Sequence, residues 1–411
     1  MIKRIPGTKD ILPQEAGRWQ QIESIARRIF SLYNYQEIRP PLVEEAALFN
    51  RTLGEFTEIV QKQMFLIKKE GDLYALRPEG TASIVRAYLE NNLDKTTGFL
   101  KFYYIGPMFR MERPQKGRLR QFHHLGVEAV GSRDPYVDIE VISLADNLLK
   151  EFSINDYKIR INSLGCTKDK EKLIADLSKN LKDKTSKLCP ECQGRLKGNV
   201  LRILDCKNEN CIKISRSLDI HGHLCVECAS HFSEVKCGLD SLSMNYLLDP
   251  YLVRGLDYYT GTVFEISHPN LGAQDAIGAG GRYDNLIKEL GGTASGAIGF
   301  AFGIERLLLA SGLKPIASSQ GLIYLITLGE QAKSAGLKLL AGLRKAGIAS
   351  DTDYTGKSLK GSLRKANDAG AKYVVIVGDD ELKKSVVMLK DMGSGEQKEV
   401  KTLDLVKELK C

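Results

Sequence analysis

The chain has 411 residues, which is enough for two or three domains with a large hydrophobic core. Its 59 Lys and Arg residues exceed its 51 Asp and Glu residues, and the net charge of +8 suits a polyanionic partner or an ordinary soluble protein. No apolar run could span a bilayer, and the first residues lack the apolar centre of a secretion signal. We therefore expect a cytoplasmic protein with no membrane partner, whose nine cysteines are thiols or metal ligands rather than disulfides.

The amino-terminal region begins with an amphipathic pattern. Between residues 16 and 33 the apolar positions recur at helical spacing: Trp19, Ile22, Ile25, Ala26, Ile29 and Phe30. We interpret this face as core packing. Short strand-like and helical segments then alternate up to Asn162, separated by glycine and proline.

A basic loop interrupts the next strand-like region. Residues 102–110 are rich in aromatic side chains and residues 121–130 mix apolar and polar positions, which predicts a β-hairpin. The loop contains these cations: Arg110, Arg113, Lys116, Arg118 and Arg120. Such a loop could bind a phosphate bidentately through arginine, with Glu112 accepting a hydrogen bond from an amine, or it could be a solvated charged loop.

The sequence changes character between residues 166 and 238. Lys-rich helical sequence over residues 169–182 precedes a cysteine cluster, which indicates a helical insertion. Two C-x-x-C pairs favour a structural Zn²⁺ held by Cys189, Cys192, Cys225 and Cys228. Cys206 and Cys211, between the pairs, are substitute ligands. The alternative is a set of reduced, partly buried thiols.

Strand and loop signals return at Leu247, and glycines crowd residues 272–303. Glycine there allows close approach of the backbone to a ligand or to another strand. The sequence contains no G-x-x-x-x-G-K-[ST] loop, no regular dinucleotide fingerprint and no Ser-His-Asp motif. These absences argue against P-loop kinases and GTPases, dinucleotide-binding enzymes and serine hydrolases.

The last block follows a Pro- and Ser-bearing linker at residues 314–319. Apolar runs at residues 322–328 and 373–377 alternate with helical sequence at residues 332–346 and 359–368. This alternation predicts an α/β domain with a substantially parallel, buried sheet. Lys357, Lys360, Arg364 and Lys365 cluster on one helix, where they could contact RNA phosphates or form a solvated face.

Several short segments, in order along the chain, carry a family resemblance. The basic hairpin, with Phe109, Arg110, Glu112 and residues 118–122, resembles the second signature motif of class II aminoacyl-tRNA synthetases. Residues 38–41 resemble motif 1, residues 77–81 the amino-acid-binding loop, and residues 299–306 motif 3. Two further segments, LVRGLDYY at residues 252–259 and AGGRYD at residues 279–284, are similar to motifs specific to histidyl-tRNA synthetases.

The resemblance implies a ligase that activates histidine with ATP and Mg²⁺ and attaches it to its cognate tRNA through a histidyl-adenylate. It implies that Arg110 binds the α-phosphate, Arg306 the γ-phosphate, and Arg254 bridges the histidine carboxylate and the α-phosphate. Fixed cations at these positions are preorganised electrostatic catalysis.

The remaining site residues are also implied by the resemblance. Phe122 would stack on adenine, Glu112 would read the adenine amino group, and Arg118 would contact ATP. Glu79 and Thr81 would hold the α-ammonium of histidine. Glu128 and Tyr259 would bind the two ring nitrogens, and Tyr258 and Tyr283 would complete the pocket. The family usually has Gln where this chain has His124, whose neutral imidazole could still accept a hydrogen bond from the substrate amino group.

The architecture implied is an α+β class II catalytic domain, in which helices flank an antiparallel sheet. Residues 1–165 would form its first part with motifs 1 and 2, and residues 239–318 its second part with the histidine motifs and motif 3. The helical, Cys-rich insertion would occupy residues 166–238, and an α/β anticodon-binding domain residues 320–411. Motif 1, with Pro41, implies a homodimer interface.

Two other functions are open to such a chain. A synthetase-like regulatory subunit of histidine biosynthesis would bind histidine without charging RNA, but the two histidine motifs and the carboxy-terminal domain argue against it. A nucleic-acid-binding module without enzymatic activity would not explain Arg110, Arg254 and Arg306 in order and in the correct contexts.

Overall fold

The computed structural model describes residues 2–55, 57–96, 98–115, 117–218, 220, 222–272, 275–313 and 321–410. The chain divides into two compact units, Met1–Pro315 and Ile316–Cys411. The predicted linker at residues 314–319 and Lys116 of the basic loop lie outside the described residues. Among the helices of these described ranges, none is both long and apolar enough to traverse a bilayer.

The strands of the first unit are β1 Gln36–Glu37, β2 Val43–Glu45, β3 Phe65–Lys69, β4 Asp72–Leu76, β5 Leu100–Phe109, β6 Gln121–Val130, β7 Lys158–Ser163, β8 Leu247–Leu248, β9 Thr260–Ser267, β10 Ala276–Arg282 and β11 Ala297–Gly303. Its α-helices are α1 Pro13–Leu32, α2 Ala46–Leu53, α3 Thr81–Glu90, α4 Leu93–Thr96, α5 Pro135–Glu151, α6 Thr167–Leu181, α7 Pro190–Arg195, α8 Glu209–Arg216, α9 Val226–Ser241, α10 Leu286–Glu289 and α11 Ile304–Ala310. A π-helical turn at Ile59–Gln63 and 3₁₀ turns at Lys182–Lys187, Val200–Ile203 and Pro269–Leu271 complete the list.

An eight-stranded sheet organises this unit, in the order β1-β5-β6-β11-β10-β9-β7-β8. The central pairs are antiparallel, and the edge strands β1 and β8 pair parallel to their neighbours. The predicted hairpin is confirmed, because β5 and β6 pair in register from Leu100 opposite Val130 to Phe109 opposite Gln121. A second, three-stranded antiparallel sheet has the order β2-β4-β3.

Helices cover one face of the large sheet. The predicted amphipathic helix is α1, which begins earlier than expected because Pro13 is tolerated in a first turn. It packs with α5, α9 and α11 over a core that includes Phe30, Leu148, Val235 and Leu307. Strand β6 contributes to this core at alternate positions, as a two-residue side-chain period requires. Its other face is therefore free to line a site.

A buried ion pair joins the helical layer to β10. The Arg282 guanidinium is 2.7 Å from the Asp138 carboxylate of α5, and both side chains are almost fully buried. Arg282 also donates to the carbonyls of Ser132 and Asp134. Breaking a buried pair of this kind leaves an uncompensated charge, so the pair fixes the end of β10 immediately before Tyr283.

The segment after β7 is helical, as predicted, and contains α6, α7 and α8. Leu173, Leu177 and Leu181 of α6 are buried in a core shared with residues around the cysteines. Helix α9 behaves differently, because its Val235 and Leu239 belong to the core of the helical layer.

The second unit has its own sheet, in the order β13-β12-β14-β15-β16. Its elements are β12 Leu322–Leu328, α12 Glu330–Lys345, β13 Ser350–Thr352, α13 Leu359–Asp368, β14 Ala371–Gly378, α14 Asp379–Lys384, β15 Val386–Asp391, β16 Gln397–Lys401, a 3₁₀ turn Thr402–Asp404 and α15 Leu405–Lys410. Strands β13, β12 and β14 are parallel, whereas β15 and β16 are antiparallel. The expectation of a parallel sheet is therefore correct for three strands only, since β15 and β16 add an antiparallel hairpin beside β14.

Candidate active site

A cavity of about 320 Å³ lies over the central strands of the large sheet. Leu125, Val127 and Ala129 of β6 point into the helical layer, while Phe122 and His124 line the cavity. All the predicted substrate-binding residues except Glu128 line it: Glu79, Thr81, Arg110, Glu112, Arg118, Phe122, His124, Arg254, Tyr258, Tyr259, Tyr283 and Arg306. Residues that are widely separated in sequence thus meet in one space.

Glycines on the cavity face make room for the polar side chains. Gly299 of β11 lies opposite Glu128 of β6, and a Cβ atom at Gly299 would be 1.9 Å from Glu128 Oε2. A Cβ atom at Gly126 would be 2.6 Å from the Tyr104 ring. Both contacts are shorter than van der Waals packing allows, so a side chain at Gly299 would displace Glu128 and one at Gly126 would displace Tyr104.

Glu128 lies beneath the cavity rather than on its surface. Its Oε1 accepts a hydrogen bond from the Thr81 hydroxyl at 2.7 Å, and its Oε2 accepts one from the Tyr283 hydroxyl at 2.6 Å. Burial raises the pKa of Glu128 to about 8, although the two hydroxyl donors oppose that shift. The two hydrogen-bond donors to this buried carboxyl group are therefore neutral hydroxyls rather than cations.

Glu79 forms a second buried carboxylate at the start of α3. It accepts the backbone N–H groups of Thr81 at 2.7 Å and Ala82 at 2.8 Å, which no carbonyl within α3 can bind. Burial nevertheless raises its pKa. The Tyr258 hydroxyl lies 3.5 Å from Glu79 Oε2, so these groups converge on one end of the cavity.

His124 is a neutral imidazole. Burial, together with the positive charges of Arg110 and Arg77, lowers its pKa well below the ordinary value. Within the described part of the chain, its buried Nδ1 atom has no hydrogen-bond partner. A buried polar atom without a partner costs free energy, which a bound ligand could recover.

Arg254 projects from the loop between β8 and β9. Its Nη1 atom donates to Glu265 Oε2 at 2.6 Å, and Glu265 also pairs with Arg160. The negative charge of Glu265 opposes the effect of burial on Arg254 and keeps the guanidinium charged. Glu265 therefore anchors one side of Arg254 and leaves the cation beside the cavity.

Arg110 and Arg306 reach the cavity from a strand end and from a helix. Arg110 follows β5, and its Nε atom donates to the Pro78 carbonyl at 2.9 Å. Arg306, on α11, donates to the carbonyls of Gly117, at 3.1 Å, and Ala276. Burial lowers the pKa of both groups, but an arginine remains charged at neutral pH. Backbone carbonyls thus help to orient both cations, and Arg110 also lies 3.9 Å from the Glu112 carboxylate.

Glu112 and Phe122 occupy the same end of the cavity. Glu112 is buried and forms an ion pair with Arg118. The Arg110 guanidinium lies 5.3 Å from the centroid of the Phe122 ring, which is within cation–π range. Phe122 is thus in place beside a phosphate-binding candidate.

Two supporting residues escaped the sequence interpretation. Glu265 is one, and Glu305 is a second, since it accepts the backbone N–H of His123 at 3.0 Å. Arg77, in the predicted amino-acid-binding loop, donates to the Pro40 carbonyl at 2.9 Å and the Pro107 carbonyl at 3.1 Å, so it orders that loop without lining the cavity. Strand pairing brings these residues to their hydrogen-bond partners, and no local pattern in the sequence predicts the contacts.

The predicted zinc ligand set is wrong as a single site. The cysteines fall into two separate groups, each with ligand atoms within 4.8 Å of one another: Cys189, Cys192, Cys206 and Cys211; and Cys166, Asp169, Cys225 and Cys228. The two C-x-x-C pairs do not meet, because the first lies within the insertion and the second begins α9, which packs on α5. The cysteines treated as substitutes complete the first group.

The central sheet, its basic hairpin and the arginines around one cavity define the catalytic domain of a class II aminoacyl-tRNA synthetase. The sequence profile described as "Histidyl-tRNA synthetase" matches residues 7–307, and the profile described as "Anticodon binding domain" matches residues 322–411. The chain belongs to the histidyl-tRNA synthetase family. This result confirms the family, the fold class and the enzyme class predicted from sequence: a histidine--tRNA ligase.

Individual relatives agree over their whole length. The chain is 47% identical to a histidine--tRNA ligase from Halothermothrix orenii, covering 99% of each chain. It is 46% identical to one from Desulforamulus reducens, covering 98% of each. The crystal structure of apo S. aureus histidyl-tRNA synthetase superposes with a TM-score of 0.83 at 35% identity and covers 100% of both chains.

The raised pKa of Glu128 predicts a pH dependence of histidine binding. If the ionised carboxylate is the binding form, kcat/KM for histidine should rise roughly eightfold between about pH 7 and pH 8.5, since deprotonation of a group with a pKa near 8 becomes favourable there. The imidazole of free histidine is already neutral in this range.

Steady-state ATP–pyrophosphate exchange across this pH range measures the effect, with Glu128→Gln as the control. The variant should lose the pH dependence along with most of its histidine affinity. Parallel profiles for the wild type and the variant would rule out Glu128 as the titrating group.

Proposed function

We propose that the ligase reaction begins in this cavity, where the histidine carboxylate attacks the α-phosphate of MgATP and pyrophosphate leaves. The single observation that carries this proposal is the convergence of Arg110, Arg254 and Arg306 on one cavity from three different elements. Negative charge develops at the α-phosphorus and along the leaving group. Cations that are already fixed by carbonyls and by Glu265 stabilise that charge without further reorganisation.

Each arginine has a distinct role in the proposal. As the family resemblance implies, Arg110 binds the α-phosphate and Arg306 the γ-phosphate, and these two cations reach the cavity from the hairpin and from α11. Arg254 lies on the opposite loop and bridges the histidine carboxylate and the α-phosphate. Its charge then matters most as the phosphorus becomes pentavalent.

Histidine would bind at the end of the cavity that contains the buried carboxylates. Glu79 and Thr81 hold the α-ammonium. His124 accepts a hydrogen bond from the same ammonium through its unpartnered Nδ1 atom. Glu128 and Tyr259 read the two ring nitrogens. Tyr258 and Tyr283 complete the pocket, and Tyr283 also fixes Glu128 by its 2.6 Å hydrogen bond.

ATP would bind at the other end. Phe122 stacks on adenine, Glu112 accepts from the adenine amino group, and Arg118 contacts the nucleotide after exchanging part of its ion pair with Glu112. The Mg²⁺ that enters with ATP would neutralise phosphate charge.

The second unit would bind the anticodon of the tRNA specific for histidine. Lys357, Lys360 and Arg364 are exposed near the start and along one side of α13, where they can contact phosphates. Lys365 is less available, since its ammonium is 2.7 Å from the Asp353 carboxylate.

The chain would function as a cytoplasmic homodimer. Several large apolar side chains of the three-stranded sheet and its entry are exposed, as is typical of an interaction surface: Leu42, Val43, Leu66, Ile67 and Leu73. They lie next to motif 1, where the family resemblance places the interface.

We also propose that the insertion runs from residue 166 to about Cys225, because α9 packs with the catalytic layer.

Cys189, Cys192, Cys206 and Cys211 would hold a structural Zn²⁺. Four thiolates are a closed tetrahedral set, and three of these cysteines are buried. Backbone N–H groups already reach two of the sulfur atoms, from Cys189 to Cys211 at 3.3 Å and from Asn208 to Cys206 at 3.4 Å.

Substitution of Arg254 tests the division of labour. Arg254→Ala should slow adenylation by at least about a hundredfold, equivalent to about 3 kcal/mol, while the Kd for histidine changes by less than about threefold. Single-turnover adenylation and calorimetry measure the two quantities, and histidine alone of the twenty amino acids should support exchange in the wild type.

The matched control is Arg216→Ala, which removes another arginine of the same ion-pair chain outside the cavity. It should leave adenylation unchanged. A loss of histidine affinity in Arg254→Ala at an unchanged adenylation rate would refute the role, and exchange with another amino acid would refute the specificity.

Removal of the α13 cations tests the anticodon proposal. The triple variant Lys357→Ala, Lys360→Ala and Arg364→Ala should raise KM for tRNA about tenfold and weaken its dependence on salt, because phosphate contacts are lost. Adenylation should not change. Lys383→Ala with Lys384→Ala, on the exposed α14, is the control; an equal rise in KM for both variants would show only the loss of general charge.

A further inference from the structure

The second cysteine group lies where the insertion begins and ends. Cys166 comes shortly after β7, and Asp169 follows in the first turn of α6. Cys225 immediately precedes α9, and Cys228 lies in its first turn. The three sulfur atoms and a carboxylate oxygen of Asp169 all lie within 4.8 Å of one another. Two chain segments separated by the whole insertion therefore meet at one point.

Asp169 holds the two segments together. Its Oδ2 atom accepts the backbone N–H of Cys166 at 3.2 Å, and its Oδ1 atom accepts the backbone N–H of Cys225 at 3.1 Å. The carboxylate is buried, whereas the three cysteines are half-buried. Cys166 and Cys225 immediately precede α6 and α9, so the amino-terminal ends of both helices lie at the group.

The donor set matches a divalent, thiophilic cation. Zn²⁺ takes thiolate sulfur at about 2.3 Å and carboxylate oxygen at about 2.0–2.2 Å in a tetrahedron whose sulfur–sulfur edges are about 3.8 Å. Ligand atoms within 4.8 Å of each other reach that geometry by small side-chain rotations. A hard cation such as Mg²⁺ would not select three sulfur ligands.

We propose that Cys166, Asp169, Cys225 and Cys228 form a second Zn²⁺ site, separate from the four-cysteine site, which clamps the entry of the insertion to its exit. The metal would replace contacts between neutral thiols with coordination bonds. It would fix the chain at the two positions where the insertion joins the catalytic domain.

The clamp is attached to the histidine motif. Leu164 donates its N–H to the Gly261 carbonyl and Gly261 donates to the Gly165 carbonyl, both at 2.8 Å. Lys170, next to Asp169, donates to the carbonyls of Asp257 at 2.6 Å and Tyr259 at 3.3 Å. A fixed Cys166–Lys170 turn therefore positions the backbone that bears Tyr258 and Tyr259. This consequence rests on the proposed histidine pocket, whereas the metal site itself does not.

Zinc content tests the site directly. Full-length protein is expressed with added Zn²⁺ and purified without chelator, and zinc per chain is measured by mass spectrometry for the wild type, Cys225→Ser, Cys211→Ser and Cys237→Ser. Cys237 is exposed and belongs to neither group, so it is the matched control. Serine is a favourable residue at the helix boundary that Cys225 occupies, so α9 should still form, which circular dichroism checks.

The expected contents are about two zinc ions per chain for the wild type and Cys237→Ser, and about one for Cys225→Ser and Cys211→Ser. Wild-type zinc content in Cys225→Ser would overturn the clamp. A content that falls in Cys225→Ser but not in Cys211→Ser would support the clamp and refute only the four-cysteine site. A Cys225–Cys228 disulfide, detected by thiol labelling of denatured wild-type protein, would also overturn the clamp.

Cobalt substitution supplies a second readout. In Cys211→Ser loaded with Co²⁺, the clamp should give the visible bands of a tetrahedral thiolate site, and the further change Cys225→Ser should abolish them. Retention of the bands in that double variant would assign the metal to other ligands and overturn the proposal.

Discussion

The histidine end of the cavity depends on the burial of the Glu128 carboxyl group under two hydroxyls. Thr81 and Tyr283 come from opposite ends of the catalytic sequence, and they meet at Glu128 with hydrogen bonds of 2.7 and 2.6 Å. Gly299 supplies the space, since any side chain there would occupy the position of the carboxylate. The two hydroxyl donors compensate only part of the free-energy cost of burying the Glu128 carboxyl group. Glu128 can therefore still accept a hydrogen bond from a further donor.

At the end of the cavity proposed for ATP, the fixed groups are cations instead. Arg110 and Arg306 both donate to backbone carbonyls, which orient a guanidinium without cancelling its charge. Arg254 has a carboxylate partner, Glu265, at 2.6 Å, and that contact occupies one side of its guanidinium. The cavity thus brings fixed cations and buried carboxyl groups together. A substrate with an ammonium, a carboxylate and a neighbouring polyphosphate satisfies both ends.

Much of this arrangement could be predicted from the sequence because short motifs carry it. The mixture of apolar and polar positions in residues 121–130 correctly predicted a strand of the hairpin, and the structure places Phe122 and His124 of that strand at the cavity. Pairings between motifs could not be predicted. The contact of Glu265 with Arg254 depends on how a loop folds back on β9, and the separation of Cys225 from Cys189 depends on the packing of α9 against α5. The antiparallel β15 and β16 were missed because five of their eleven residues are charged, which weakens the strand signal.

The central claim is that fixed hydrogen-bonding groups at the floor of the cavity read both nitrogens of the histidine ring. Calorimetric comparison of L-histidine with β-(2-thienyl)-L-alanine, which keeps the five-membered ring but lacks both nitrogens, tests it most directly. The account predicts that the thienyl analogue binds at least about a hundredfold more weakly, because buried polar groups would lose their partners. Binding of the two amino acids within about threefold of each other would contradict it.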